Sequence, residues 1–219
     1  MTVHVNGVKL YYERYGAGKP VILLHGNGED HTAMQSAADH LKKWYAVYAI
    51  DSRCHGKSQQ TATLGYHDMA GDVAAFIRKL GLNKPVLIGS SDGAIVALLV
   101  AIHHPELPGK VVSAGANRFP HELKRWFRGM VKVASRLKRD DPKLRLMLNE
   151  PNLTDELLKR IACPVLVLAG QRDILAERHT LALAHAIPGA QVKILPGESH
   201  TSYIRHGERL LAAAKGFLA

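Results

Sequence analysis

The sequence predicts an α/β protein in which a mostly parallel β-sheet is covered by helices on both faces. Short apolar runs typical of buried strands alternate with segments of helical periodicity, and this alternation indicates βαβ crossovers. Glycine-rich turns follow several of these strands. The chain has 219 residues, of which 47% are hydrophobic, and this is enough for one domain with a substantial core.

The elements are predicted in chain order from turn signals and periodicity. Asn6-Gly7 lies between short alternating segments at 3–5 and 8–12, so these segments are expected to form a β-hairpin. The continuous apolar run 20–24 is typical of a strand buried on both faces. Further strands are predicted at 45–50, 86–88, 110–114, 165–169 and 192–195, and helices at 30–43, 68–80, 92–104, 177–187 and 202–218.

Residues 117–160 interrupt the alternation because they are helical and basic and contain no strand. We interpret them as a small helical cap, with a turn at Asp140-Asp141-Pro142, inserted in a core of residues 1–116 and 161–219. This segment has twelve Lys or Arg and six acids, in a chain of net charge +10. A solvated helix face explains the charge, and an anionic partner is the alternative. The interleaved aromatic residues of single-strand binders are absent from the segment, so we predict no specific nucleic-acid partner.

The composition excludes several classes of protein. Cys54 and Cys163 are the two cysteines, too few for a disulfide scaffold or a zinc ribbon. The first residues lack the apolar run of a signal peptide. The longest apolar run, at 94–102, is far shorter than the roughly 20 residues that span a bilayer. We therefore expect a cytoplasmic protein without a membrane span.

A candidate nucleophile lies in Gly89-Ser90-Ser91-Asp92-Gly93, which matches the pattern G-x-S-x-G. The motif follows a predicted strand and precedes an apolar helix, so it is expected to form a sharp turn that needs glycine on both sides of Ser91. The turn exposes Ser91 at a helix N-terminus, where backbone N–H groups favour developing negative charge.

A base and an acid are predicted at the ends of two later strands. A serine hydroxyl needs a general base, and the base needs an acid that orients it. Asp173 follows the strand at 165–169, and His200 follows the strand at 192–195. The ends of parallel strands meet at one edge of the sheet, where such sites lie. Glu198 and Glu177 are the rival acids.

Acyl transfer also needs hydrogen-bond donors for the oxyanion. The Gly-rich turn after the strand at 20–24 leaves a backbone N–H free, which we assign to Asn27, with Gly26 as the rival. The second donor is expected to be the N–H of Asp92, directly after the nucleophile.

Five such blocks, in this order, resemble the α/β-hydrolase superfamily over nearly the whole chain. They are His25–Gly28, Asp51–Ser58, Gly89–Gly93, Gly170–Asp173 and Gly197–His200. The resemblance implies an α/β-hydrolase fold with an eight-stranded sheet, a Ser-His-Asp triad and no cofactor, and we predict no metal site. Cys54 stands where the superfamily usually has glycine, and it fits this loop if its φ is negative.

Five positions, Asp92 among them, are candidates for substrate binding. The Ser-Asp-Gly elbow resembles that of the valacyclovir-hydrolase (biphenyl-hydrolase-like) branch, in which the acid beside the nucleophile is thought to meet a substrate amine; a structural role for Asp92 at the helix N-terminus is the alternative. Trp126, Phe127 and Met130 recur at helical spacing and are expected either to pack the core of the cap or to line an acyl pocket. Tyr203 lies close to His200 and fits either role.

We therefore expect a serine hydrolase, a carboxylesterase whose partner is a small-molecule ester with a small or medium acyl group. Hydrolysis of amides, amino-acid esters, lactones or C–C bonds remains open within the same fold. A non-catalytic binding protein that uses the basic cap is the alternative from another class.

Overall fold

The computed structural model describes residues 1–138 and 141–218 and has the predicted α/β architecture. Within these residues eight strands form one sheet in the order β1-β2-β4-β3-β5-β6-β7-β8. The first hairpin and the β2/β4 pair are antiparallel, and all other pairs are parallel. The strands are β1 Thr2–Val5, β2 Val8–Tyr15, β3 Lys19–Leu24, β4 Tyr45–Ile50, β5 Val86–Ser90, β6 Lys110–Ala114, β7 Val165–Arg172 and β8 Gln191–Ser199.

Helices cover both faces of this sheet. Alternate residues of the central strands contribute to two apolar cores, with Ile22 and Leu24 in one and Val21 and Leu23 in the other. No helix within the described ranges is both long and apolar enough to cross a membrane. The helices are α1 Gln35–Leu41, α2 Tyr66–Lys79, α3 Asp92–His103, α4 Arg125–Leu137, α5 Pro142–Asn149, α6 Asp155–Leu158, α7 Glu177–Ala186, α8 Ser202–Arg205 and α9 Gly207–Leu218.

The hairpin prediction is confirmed, while two helix predictions are partly wrong. Asn6 and Gly7 have φ of 47° and 77°, as a tight two-residue turn between β1 and β2 requires. The helix expected at 30–43 begins with a separate 3₁₀ turn, His31–Met34, which Asp30 caps. The closing helix is broken into α8 and α9 at His206, whose ψ of 76° is not helical.

The segment at 117–160 contains helices α4, α5 and α6 between β6 and β7, as the sequence predicts. Asp141 accepts a bond from the N–H of Lys143 and so caps α5. Asp140, the first residue of the predicted turn, lies outside the described residues. The start of α4 is tied to the strand ends, because the Lys124 ammonium donates to the carbonyl of Asp173.

Cys54 does not have the expected negative φ. Its φ is +62°, in the left-handed region that glycine adopts at little cost, and this conformation costs another residue about 1–3 kcal/mol. The surrounding loop holds it there, because its N–H donates to the carbonyl of Gln59 at 3.0 Å. The thiol is buried and lies 3.1 Å from the Thr61 hydroxyl.

Candidate active site

The parallel register brings the predicted site residues to one edge of the sheet. Leu24 lies opposite both Ile50 and Gly89, and Ser90 lies opposite Ala114. The loops that follow β3, β4, β5 and β6 therefore begin at nearly the same level, and residues far apart in sequence face one cavity.

The turn at Ser91 depends on the two glycines beside it. A Cβ at Gly89 would lie 2.1 Å from the carbonyl oxygen of Gly93, and a Cβ at Gly93 would lie 2.1 Å from that of Leu24. Both neighbours are backbone atoms and cannot yield. Ser91 has φ 51° and ψ −114°, a conformation rarely adopted by residues with a side chain. Its N–H donates to the carbonyl of Ala114 at 2.8 Å, which helps to fix the turn.

The three residues predicted as a triad lie within hydrogen-bonding distance of one another. His200 Nε2 lies 3.1 Å from Ser91 Oγ, and His200 Nδ1 lies 2.7 Å from Asp173 Oδ1. The buried Asp173 carboxylate also accepts the N–H groups of Gly170 and Leu175. This arrangement can orient the imidazole and take a proton from the serine hydroxyl.

The rival acids do not reach His200. The Glu198 carboxylate accepts the Ser202 hydroxyl and forms an ion pair with Arg209 at 2.8 Å. Both contacts lower the pKa of Glu198. Glu177 lies exposed in the first turn of α7.

The backbone N–H groups near Ser91 distinguish the two oxyanion candidates. The Gly26 N–H already donates to Glu29 Oε2 at 2.9 Å, so it is not free for a substrate. The Asn27 N–H has no acceptor among the described residues, and neither has the Asp92 N–H at the start of α3. The geometry therefore favours the predicted pair, Asn27 and Asp92, over Gly26.

His25 fixes the loop beside these donors. Its Nε2 accepts the N–H of Ser52 at 3.1 Å, so the opposite nitrogen, Nδ1, carries the proton and donates to the carbonyl of Gly26 at 2.7 Å. Burial lowers the pKa of His25 to about 4, in agreement with a neutral ring. These two contacts give His25 a structural role in this loop.

A cavity of about 230 Å³ opens beside Ser91 and His200. Its walls combine apolar side chains with polar groups from six separate segments of the chain. The apolar lining comes from Leu123, Phe127, Met147 and Ile174, and the polar lining includes Asn27, Glu29, Tyr66, Asp92, Asn117, Glu150 and Thr201.

Of the four candidate pocket residues near the cap and His200, only Phe127 lines this cavity. Trp126 and Met130 are 63% and 55% exposed and do not line the cavity, although the Trp126 ring meets Phe127 edge-on at a centroid distance of 5.7 Å. The helical spacing indicates a shared face, but that face points to solvent. Tyr203 is fully buried in a core on the other side of His200, and its hydroxyl has no partner among the described residues.

Asp92 is buried at the base of the cavity in a polar network. Its carboxylate accepts Asn27 Nδ2 at 2.8 Å and the hydroxyl of Tyr66. Glu150 accepts the N–H of Tyr66 at 3.0 Å, which links the network to the segment after α5. Burial raises the pKa of Asp92 to about 6, and the two hydrogen bonds oppose part of that rise.

Sequence reasoning missed Glu29, Tyr66, Asn117 and Glu150 as lining residues. Asn117 follows Gly115 at the end of β6, a strand-end position like those that revealed Asp173 and His200, so this signal was available. Tyr66 and Glu150 reach the cavity through long-range packing that has no local sequence signature.

One group of potential metal ligands, Asp30, His31 and Asp51, lies beside this region. Hydrogen bonds to one another and to neighbouring backbone groups explain why these three side chains lie close together. Asp51 accepts the backbone N–H and Nδ1 of His31, both at 2.7 Å, and the N–H of Lys57 at 2.8 Å. Asp30 accepts the N–H of Thr32 as a helix cap. These carboxylates brace the loops after β3 and β4.

Comparison with known proteins agrees with this geometry. The model of the alpha/beta hydrolase fold family matches residues 19–148, more than half of the chain. The chain therefore belongs to the α/β-hydrolase fold family, and the comparisons support a hydrolase.

The similar proteins include hydrolases with several substrates. The human "Serine hydrolase BPHL" is 28% identical, with 99% of this chain and 85% of the relative covered. Two solved structures share the fold: an esterase from Exiguobacterium antarcticum (TM-score 0.87, 19% identity, 100% and 98% covered) and an enol-lactonase from Burkholderia xenovorans (TM-score 0.82, 19% identity, 100% and 99% covered). The similarity to the BPHL branch agrees with the resemblance noted in the sequence.

The strained backbone at Ser91 predicts a stability difference between two substitutions. Ser91→Gly relieves a conformation that costs about 1–3 kcal/mol, although glycine also gives the unfolded chain more entropy. We expect Ser91→Gly to be about 1 kcal/mol more stable than Ser91→Ala, which keeps the Cβ and the strain. Urea denaturation of both variants measures this difference, and equal midpoints would show that the turn is not strained.

The buried Asp92 predicts a pH-dependent loss of stability. Because burial raises the pKa of Asp92 from 3.8 to about 6, the contribution of this group to stability is fully present below pH 3.8 and is lost as the pH rises through 6. The loss is about 3 kcal/mol at about 1.4 kcal/mol per pKa unit. In Asp92→Asn this component is absent, while all other titrating groups remain. Denaturation curves at pH 4 and pH 7 test it, and parallel pH profiles for the two proteins would refute the assignment.

Proposed function

We propose that this protein is a serine hydrolase that cleaves carboxylic esters of small or medium acyl groups. The observation that carries the proposal is the hydrogen-bonded series Ser91, His200 and Asp173 at the mouth of a cavity lined partly by apolar side chains. Two unpaired N–H groups beside Ser91 support acyl transfer over other reactions. In this proposal the segment at 117–160 is the cap that closes one side of the cavity with Phe127.

The reaction follows from the roles of these groups. Ser91 Oγ attacks the ester carbonyl while His200 Nε2 takes its proton, and the N–H groups of Asn27 and Asp92 hold the oxyanion. His200 then gives the proton to the leaving alcohol, and the acyl group remains on Ser91. Water, deprotonated by His200, releases the acid. Asp173 keeps the imidazole oriented and stabilises its charged form.

Activity on p-nitrophenyl acetate and butyrate tests the proposal. We expect Ser91→Ala and His200→Ala to lower kcat by about 10³–10⁴-fold or more, and Asp173→Asn to lower it somewhat less, because the acid acts through the base. The matched control is Glu198→Gln, which removes the neighbouring rival acid and is expected to keep full activity.

Two outcomes would contradict these assignments. Activity retained in Ser91→Ala would refute the nucleophile and with it the proposed mechanism. An active Asp173→Asn beside an inactive Glu198→Gln would show that the acid is Glu198.

A second candidate within the same chemistry is the hydrolysis of α-amino acid esters. The cavity is lined by the carboxyl groups of Glu29, Asp92 and Glu150, and its described lining includes no Lys or Arg. A protonated amine next to the scissile carbonyl would be attracted by this charge, and its presence would favour the ionised form of Asp92. Its positive charge would also offset the repulsion between Asp92 and the oxyanion.

A pair of substrates that differ only in the amine tests this candidate. The p-nitrophenyl esters of valine and of 3-methylbutanoic acid have the same carbon skeleton. We expect Asp92→Asn to lower kcat/KM for the valine ester at least about tenfold more than for the neutral ester, since one charge-assisted contact is lost. Asp39→Asn removes a surface carboxylate as the control. Equal losses on both esters would exclude an amine-binding role for Asp92.

A further inference from the structure

Helix α4 carries an unusual row of exposed apolar side chains. Trp126, Met130, Val133 and Leu137 are 63%, 55%, 56% and 81% exposed. Their spacing of four, three and four residues places them within about 60° of one another around the helix axis. We call these four residues the α4 stripe. A row of this kind, with tryptophan at one end, is atypical of a solvated helix face.

The other two faces of the same helix have different surroundings. Phe127 and Val131 point inwards, where Phe127 lines the cavity and Val131 is buried. The basic residues Arg125, Lys132 and Arg136 are exposed about 90–130° from the α4 stripe, on the side away from Phe127. The α4 stripe therefore has a basic face along one side, and Phe127 lies on its other side.

The basic face has no acidic partner among the residues that the structure describes. Between Lys124 and Lys138 the sequence has six Lys or Arg and no acid. No ion pair within the described residues involves Arg125, Lys132 or Arg136. These charges are therefore available to an anionic surface, and they lie next to apolar groups that water solvates poorly.

We propose that the α4 stripe and its basic face dock the protein on an anionic lipid surface. A helix with an apolar face, a Lys- and Arg-rich neighbouring face and an aromatic residue lies in the plane of the membrane interface. The stripe covers about 16 Å along the axis, so α4 would lie on the bilayer without crossing it. Because Phe127 lies beside Trp126, docking would bring the cavity to the lipid surface.

The charge distribution favours a membrane over a second copy of this chain. Two copies that paired their stripes antiparallel about a two-fold axis would bring their basic faces to the same side of the interface, where like charges at short range disfavour it. An anionic bilayer offers both an apolar layer for the α4 stripe and negative headgroups for the basic face.

Vesicle flotation of the full-length protein tests the proposal. Wild type is mixed with phosphatidylcholine vesicles, with and without 30% phosphatidylserine. We expect binding to the phosphatidylserine vesicles that weakens as salt is raised, because surface charges are screened. Ser91→Ala is expected to bind equally, so this result is independent of the proposed catalysis.

Two variants with matched controls locate the docking surface. Trp126→Ser/Leu137→Ser is expected to lower partitioning at least about tenfold, and Arg125→Gln/Lys132→Gln/Arg136→Gln about 100-fold at low salt, or about fivefold per charge. The controls Trp44→Ser/Leu181→Ser and Arg178→Gln/Arg205→Gln/Lys215→Gln remove similar groups outside α4 and should change partitioning less than twofold. All of these side chains are exposed, and equal thermal unfolding of the variants would confirm intact folding.

Tryptophan fluorescence reports the contact directly. In a Trp44→Phe background Trp126 is the remaining tryptophan, and vesicles should shift its emission to the blue and allow quenching by brominated lipid. Absence of vesicle binding by wild type, or unchanged binding by both α4 variants, would overturn the proposal. A dimer in sedimentation that Trp126→Ser/Leu137→Ser dissociates would also overturn it and identify a second copy as the occupant.

Discussion

The close approach of α3 to strands β3 and β5 is the constraint on which the candidate site depends. Gly89 and Gly93 allow it, since a Cβ at either position would lie 2.1 Å from a backbone carbonyl oxygen. This contact forces Ser91 into a sparsely populated backbone conformation, which turns its hydroxyl out of the sheet and towards His200. Strain in the turn is thus a consequence of tight helix–sheet packing. The burial of the apolar α3 in the core on one face of the sheet maintains this strain.

The same approach buries Asp92, and the surroundings of the site compensate in part for the cost. An unpaired carboxylate in this position would be strongly destabilising, so Asn27 and Tyr66 donate hydrogen bonds to it. Asn27 Nδ2 also donates to the carbonyl of Lys143 at 3.2 Å. The loop that carries Asn27, the proposed oxyanion donor, is therefore fixed by Asp92 and by the segment at 117–160. Stability and the proposed catalysis share these contacts, so substitutions in this network would affect both.

The sequence predicts those parts of the site that depend on local signals. Ser91, Asp173 and His200 each follow a strand that can be recognised in the sequence as an apolar run. The parallel sheet then brings the ends of these strands to one edge. By contrast, Tyr66 and Glu150 lie 84 positions apart and meet only when α2 and the segment after α5 pack together. The positive φ of Cys54 was also unpredictable, because tertiary contacts hold it against its local preference. Helical spacing correctly placed Trp126 and Met130 on one face but could not show that nothing covers it.

Helix α4 carries the α4 stripe and also lies next to the candidate active site. Lys124, just before the helix, donates to the carbonyl of Asp173, and Leu123 forms an antiparallel bridge with Leu175. Three residues after Lys124, Phe127 lines the cavity. Helix α4 and the residues just before it therefore contact both the loop that carries Asp173 and the cavity beside Ser91. Val131 is buried and holds the middle of α4 against the protein. The Lys124 hydrogen bond and the Leu123 bridge hold its N-terminal end. The N-terminal part of the segment at 117–160 and the Asp173 loop are consequently held together by direct backbone and side-chain contacts.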